Sequence, residues 1–452
     1  MLRGTLHSST SSFAAARIRK YGTSHWSAPI FNPLSARNDM CAVLVFNGLQ
    51  ADTVYEYQAG WCDAPSLEAL ASHDPLVWPA TTQMLKTANA NAKGTTHYML
   101  GSCRYIHINR ITGQAVWASL GDQMFRVMVD KITKKRFPID ALFLVGDQIY
   151  ADDLNLISPA TTLDGFLTRY RTAFTQKGAA KMLANVPTYM TLDDHEIEDN
   201  WPAKATQQDW QQVYPAAMTA YSIYQCSHSP VHQATADGQQ IIPSLKPKKL
   251  WYTTSSGATD WFVMDVRTER DLASKPRTLL GDEQINALLD WLTQSTARWK
   301  FIVSAVMVYP DLKHDDGDSW KSFPEQRLQI LEHIRRNKIR NVVFVSGDVH
   351  CALASRMTHS GDPDFAVHTI VSSPLYKIPL LTSYAYAYKS DFILDAPEAT
   401  VDGQHYQSTL ISRVHSVDNF AYFSVDHEGI ELQFYDQHGD SLEKAPVRIK
   451  AL

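Results

Sequence analysis

Apolar and polar positions along this chain alternate between two rhythms. Short runs of large apolar residues, bounded by glycine, proline or acids, read as buried strands at 98–100, 141–145, 187–192, 260–266, 301–306 and 341–346. Between them apolar residues recur at helical spacing: Leu120, Met124, Val127 and Met128 within 116–136, and Phe166, Leu167, Tyr170 and Phe174 within 163–184. Further helices are predicted at 206–224, where Pro215 should break or kink the run, at 282–298, and at 324–337 with Pro324 in the first turn. A strand at 250–254 and a closing hairpin, 420–425 with 430–435 around His427-Glu428-Gly429, complete the pattern. This alternation predicts an α/β fold, a sheet covered by helices.

The chain divides in three. Residues 1–30 read as a flexible arm and 31–95 as a short β-rich segment, with strands at 42–46 and 53–58 joined by a hairpin link. Residues 96–452 read as one larger domain, in which the irregular stretches 227–249 and 376–413 are expected to rim a site.

Composition narrows the function classes. The 452 residues are 44% hydrophobic and 20% charged with net charge −5, an ordinary balance for a globular chain. No basic stripe points to nucleic acid, and no run of about 18 apolar residues predicts a membrane span. The first 21 residues lack an apolar signal core, which favours the cytoplasm. They are also rich in Arg and Ser and free of acids, so an exported or organellar destination is the alternative. The five cysteines are widely spaced without a Cys-x-x-Cys pair; free, mostly buried thiols are expected, with Cys103 the exception. Neither a Gly-x-Ser-x-Gly elbow nor a Walker A sequence is present. The pattern does not specify an oligomeric state.

The chemistry gathers where strands end. The 141–145 run empties into Gly146-Asp147-Gln148-Ile149-Tyr150-Ala151-Asp152-Asp153. Alone, that loop reads equally as a solvated acidic turn. The design recurs, however, at Asp193-Asp194-His195-Glu196 and at Gly347-Asp348-Val349-His350, and a fourth strand delivers Cys103 and Arg104. Carboxylates crowded at the carboxyl edge of a sheet repel one another, and a bound cation explains their company. Asp152, Asp153, Asp193, Glu196, Glu198 and Asp199 exceed what two metals need, so some should orient ligands or face water.

Gly101-Ser102-Cys103-Arg104-Tyr105, the 146–153 loop, 192–201 and 346–350 together resemble the motif set of the PhoD-like alkaline phosphatases, a branch of the binuclear metallophosphoesterases. The resemblance extends to 261–270, Asp318-Ser319-Trp320 and Val371-Ser372-Ser373-Pro374-Leu375-Tyr376, so it runs from about residue 95 to 376. It implies a four-layer αββα sandwich, two mixed sheets flanked by helices, with the β-rich segment a remnant of the family's N-terminal sandwich. It also implies a hydrolase cleaving phosphomonoesters, phosphodiesters or both. Two cations roughly 3.5–4 Å apart can stabilise attacking and leaving oxygens and supply hydroxide at neutral pH. By this likeness Cys103, Asp147, Tyr150 and His350 would hold the first ion, Fe3+, whose thiolate and phenolate ligands suit a transition metal. Asp147, Asp194 and Asp348 would hold the second, Ca2+, which prefers hard oxygens. The superfamily's leading Asp-x-His sequence is absent, and Cys103 stands in its place. His195 would protonate the leaving oxygen or hold phosphate, Arg104 and Asn200 would donate to phosphate, and Arg267 would partner a carboxylate. Small-molecule, lipid and nucleotide phosphate esters are all admissible substrates. The rivals are a dedicated phosphodiesterase or phospholipase-type enzyme, and a catalytically inactive binding protein on the same fold.

Overall fold

The computed structural model describes residues 2–3, 11–71, 76–108, 115–116, 118–153, 158–229, 233–234, 241–242, 249–309, 318–377, 391–393, 400–401 and 404–452. Two mixed sheets form its centre. One runs Thr188–Thr191, Ala141–Val145, Thr96–Gly101, Asn419–Val425, Gly429–Asp436, Val447–Lys450, with the first three strands parallel. The other runs Tyr252–Ser256, Thr259–Val263, Trp299–Ser304, Val342–Ser346, Asp362–Val371, Leu353–His359, Gln404–Leu410, Asp391–Ile393, and its second to fifth strands are parallel.

The apolar runs look continuous because each strand is buried on both faces, and side chains alternate between them. Phe143 and Val145 point inward with Phe301, Val303, Val343 and Val345 from the other sheet. The Trp261 ring stacks between Phe143, 4.0 Å away, and Phe301, 4.1 Å away. Leu142 and Leu144 point the other way, onto Met124, Phe125 and Met128 of helix Gln123–Thr133 and Met182 of helix Lys177–Asn185. On the far side Phe262, Ile302 and Phe344 meet Leu288 and Leu292 of helix Asp282–Gln294 and Ile330 and Leu331 of helix Pro324–Arg336. This is the expected αββα sandwich.

Several expectations need correction. The arm expected at 1–30 contains a ten-residue strand, Ser11–Lys20, paired along its whole length with Val54–Ala64. Its small Ala14, Ala15 and Ala16 read as flexible in sequence, yet they are buried beside Phe13 and Ile18. With Ile30–Pro33 and Gln83–Lys86 these strands make a four-stranded sheet, so the expected 42–46 and 53–58 hairpin does not form and Cys41–Ala42 is all that remains of the first strand. The sheet docks on the larger body through Tyr57, whose hydroxyl donates to the Ala184 carbonyl (2.5 Å), and through the Lys86–Asp140 pair (2.8 Å).

The helix predicted at 163–184 is two, Leu163–Phe174 and Lys177–Asn185. The Asp122 carboxylate accepts the Gly178 and Ala179 N–H groups (2.8 and 2.9 Å), capping the second helix from a distant segment. Pro215 sits in the first turn of Tyr214–Tyr224, after a π turn at Asp209–Val213. The antiparallel pair Leu353–His359 and Asp362–Val371 was not anticipated, nor was Gln404–Leu410 within the stretch expected to be irregular. The rest of the two long expected loops lies mostly outside the described residues. The described cysteines are free thiols, and Cys103 is buried like Cys41, Cys226 and Cys351. Among the described residues no helix is long and apolar enough to cross a membrane.

Trp261 bridges the two sheets, so Trp261→Ala should cost about 3–5 kcal/mol of unfolding free energy in denaturant titration. A loss below about 1 kcal/mol, the range of ordinary surface changes, would show that the sheet–sheet seam does not depend on it.

Candidate metal centre

Parallel strands carry their chemistry out at one edge. Gly101, Val145, Thr191, Val263 and Ser346 end strands, and the loops that follow bring Cys103, Asp147, Asp193, Asp194, Arg267, Asp348 and His350 to one corner. Close backbone approach fixes the loops. Gly146 has φ +90°, and a Cβ there would collide with that of Asp193; a Cβ on Gly347 would collide with the Ser102 hydroxyl. The turns are strained as well. Among the described residues twelve non-glycine residues have positive φ, and six of them are Cys103, Asp147, Asp153, Asn200, Asp348 and His350. Such conformations cost of order 1–3 kcal/mol each and persist where the surroundings over-determine them, commonly at functional sites.

Asp147 lies at the middle. One Oδ accepts the Cys103 thiol (3.2 Å) and the other the His195 main-chain N–H (3.3 Å). Ligand atoms of Asp147, Asp194 and His195 lie within 4.8 Å of one another, and so do those of Asp147, Asp193 and Asp348. Asp147 is the member common to both groups. The Tyr150 hydroxyl is 3.2 Å from His350 Nε2, and its ring stacks on His195 with centroids 4.1 Å apart. His195 Nδ1 faces both oxygens of Asp152 at 3.0 Å. Asp194 Oδ2 accepts the Asn200 main-chain N–H (2.6 Å), while its Oδ1 makes no hydrogen bond and lies 3.5 Å from Arg267.

The electrostatics follow from this crowding. Burial pushes Asp147 well above the carboxylate range, and Cys103, Asp193, Asp194 and Glu196 add to the rise. Burial does the same to Asp348, with Asp193 and Asp318 as the next causes. The Cys103 thiol is pushed up to about 12 by burial and by Asp348, and the buried Tyr150 phenol rises too. His195 goes the other way for a base. Burial opposes its charge, but Asp152 and Asp194 outweigh burial and lift it to about 10. Asp193 rises to about 7 through burial, with Arg267 pulling against it. Acids that suppress one another's ionisation in this way fit a cation, which would supply the missing positive charge. The donor set, with a thiol and a phenol on one side and carboxylates on the other, accommodates such ions.

Nine residues were expected at this site, and the structure brings Cys103, Asp147, Tyr150, Asp194, His195, Asp348 and His350 together. Asn200 is present through its main-chain N–H to Asp194. Arg104 is elsewhere: the residue is 1% exposed, and its guanidinium sits 4.9 Å from the Phe125 ring and 5.8 Å from Phe174. Burial there holds it down at about 10. A donor to substrate phosphate must reach the cleft, so Arg104 is removed from that role. The chain turns at the left-handed Cys103, and with that thiol aimed at Asp147 the Arg104 side chain faces the helices.

Sequence reasoning left three partners unassigned. Asp193 Oδ1 accepts from Arg267 Nε (2.6 Å), and Arg267 in turn donates to Asp318 with both terminal nitrogens (2.5 and 2.9 Å). Arg270 also reaches Asp318 (2.6 Å). Glu196 is fully buried and takes main-chain N–H groups from two loops. No sequence signal distinguishes these acids from Asp194, because their partners are 29 to 74 residues away along the chain, apart from the Asp193 N–H that Glu196 takes three residues back. A cavity of about 780 Å³ lies apart from this centre, between the N-terminal sheet and helices Leu163–Phe174 and Lys177–Asn185. The one charged residue in its lining, Arg171, is paired with Asp39, so it offers no comparable chemistry.

Comparisons with known proteins point to one family and one fold. A family model described as PhoD-like phosphatase matches residues 112–431, well over half of the chain and containing each expected metal ligand except Cys103. Alkaline phosphatase D of Bacillus subtilis (strain 168) is 27% identical over 260 residues, 48% of this chain; the match spans 42% of that relative's length. The solved structure of PhoD superposes with a TM-score of 0.66 at 16% identity, covering 97% of this chain and 86% of that one. Purple acid phosphatase PPD1 from yellow lupin (Lupinus luteus) seeds gives 0.57 at 12% identity, covering 97% and 70%. At these identities the structural likenesses speak for the fold, which is that of the metallophosphoesterases. On the family match, this chain belongs to the PhoD-like phosphatases.

Proposed function

We propose that this protein is a metal-dependent phosphoric ester hydrolase acting on phosphomonoesters, phosphodiesters or both. The observation that carries the reading is Asp147, a buried carboxylate common to two groups of potential ligands at the joint edge of two sheets. Cys103, Tyr150 and His350 would complete one ion site with Asp147, and a thiolate–phenolate set suits Fe3+. Asp194 and Asp348 would complete the other, where hard oxygens suit Ca2+. When bound, such ions polarise the phosphoryl group and lower the pKa of water.

The chain's own residues do the rest. Asp152 faces His195 Nδ1, which leaves Nε2 to meet the leaving oxygen and give it a proton. Stacking on Tyr150 sets the plane of that ring. The Asn200 N–H holds Asp194 so that its second oxygen stays available.

Assays of p-nitrophenyl phosphate beside its bis-ester would separate monoesterase from diesterase. Asp147→Asn should abolish turnover of both and release metal, measured by elemental analysis; full activity in this variant would end the two-metal reading. Tyr150→Phe should shift or remove a visible absorption band of the iron-loaded protein, and a colourless, fully active wild type would refute iron while leaving hydrolysis standing. His195→Ala and Asp152→Asn should each lower kcat about 100-fold or more with metal content kept, the size expected for loss of a proton donor. Asp152→Asn with unchanged kcat would show that the pair has no part in turnover.

A further inference from the structure

Glu196 has an unusual position for an acid in a cluster of this kind. Its Oε2 accepts the main-chain N–H of Asp147 (3.0 Å) and of Asp193 (2.9 Å). Its Oε1 accepts the main-chain N–H of Gln148 (2.6 Å) and the Gln225 side-chain amide (2.8 Å). Each oxygen therefore takes two donors, about the full capacity of a carboxylate, and none is left for an ion. The residue is 0% exposed.

Two of those donors are consecutive. Asp147 is left-handed, with φ 54°, after Gly146 at 90°. Successive N–H groups in such a turn form a concavity that binds an anion. Here the anion is a side chain from the neighbouring loop. The third donor lies in the Asp193-Asp194 turn itself, so one carboxylate ties together the loops that carry the two central acids. The fourth, Gln225, follows helix Tyr214–Tyr224 and also reaches the Tyr170 hydroxyl (3.1 Å) on helix Leu163–Phe174, which anchors the tie to the outer layer.

We propose that Glu196 is a positioning residue: it holds Asp147 in its left-handed conformation and fixes the spacing between Asp147 and Asp194 before any ion arrives. This rests on the reading of the centre as a metal site. It assigns Glu196 neither to the metal nor to the substrate. Glutamine at this position keeps the volume but replaces one acceptor oxygen with an amide that points hydrogens at main-chain N–H donors, so at least one of those contacts becomes repulsive.

The test uses the full chain, stripped with a chelator and titrated with Ca2+ alone by calorimetry, beside Asp147→Asn, Glu196→Gln and Glu196→Asp. Glu196→Gln should bind Ca2+ about 10–100-fold more weakly than wild type, the usual effect of removing a group that orients a ligand. Its metal-free Tm should fall, because buried N–H donors lose an acceptor, and saturating Ca2+ added beside Fe3+ should recover much of its kcat. Glu196→Asp, which keeps the charge with a shorter reach, should fall between. Wild-type affinity in Glu196→Gln would overturn this proposal and leave the metal reading intact. Absence of Ca2+ binding in the wild type, with no difference from Asp147→Asn, would overturn both. Where Glu196→Gln does not fold, amide exchange of the metal-free wild type decides. The N–H groups of Asp147, Gln148 and Asp193 should open together, and independent exchange would overturn the proposal.

Discussion

Negative charge buried at the edge of two sheets has to be compensated, and the structure depends on how that is done. Six carboxylates meet there: Asp147, Asp152, Asp193, Asp194, Glu196 and Asp348. Burying an ion without a partner costs several kcal/mol, so each needs a donor or must stay protonated. Asp193 has Arg267, Asp152 has His195, and Glu196 has four N–H donors. Asp194 is half provided for, with an N–H on one oxygen and Arg267 at 3.5 Å from the other. Asp147 has only the Cys103 thiol (3.2 Å) and the His195 N–H (3.3 Å), and it and Asp348 are the two acids that burial and neighbours push highest. The acids with arginine, histidine or amide partners surround the two that would face an ion.

Strained loops can persist there because the elements beneath them are rigid. The strands that deliver them are buried on both faces, and their inward side chains interlock from sheet to sheet. Movement of one loop would pull a strand whose alternate residues are packed on opposite layers. The stacked Phe143, Trp261 and Phe301 rings therefore fix where Asp147 and Asp348 can be, although none of the three touches the cluster.

Much of this was legible in the sequence because the signal is local. A fully buried strand, a glycine and an acid occupy consecutive positions, so the Ala141–Val145 and Val342–Ser346 strands and the acids beyond them could be read directly. What was not legible is carried by distant partners. The break before Lys177 depends on Asp122, a cap from 55 residues earlier, and the burial of Ser11–Lys20 depends on Val54–Ala64. The direction of Arg104 depends on the left-handed turn at Cys103. The roles of Asp193 and Glu196 depend on Arg267 and on the Asp147 loop, and composition alone does not rank three acids in four residues.

Asp193 and Asp194 show how narrow that ranking is. They are adjacent, both buried, and chemically identical, yet Asp193 is held up at about 7 while Asp194 is pulled below the usual range. Burial raises both. Arg267 lowers both and Asp318 raises both, but Asp193 also feels Asp194, whereas Asp194 has the His195 charge and the Asn200 N–H beside it. Asp193 gives up one oxygen to the arginine that braces the loop and Asp194 one to the Asn200 N–H, and each keeps its second oxygen free of hydrogen bonds beside Asp147. A single-residue slip in this loop would exchange the two. The tie from Glu196 to the Asp193 N–H resists that slip, since it fixes the register of the turn from within.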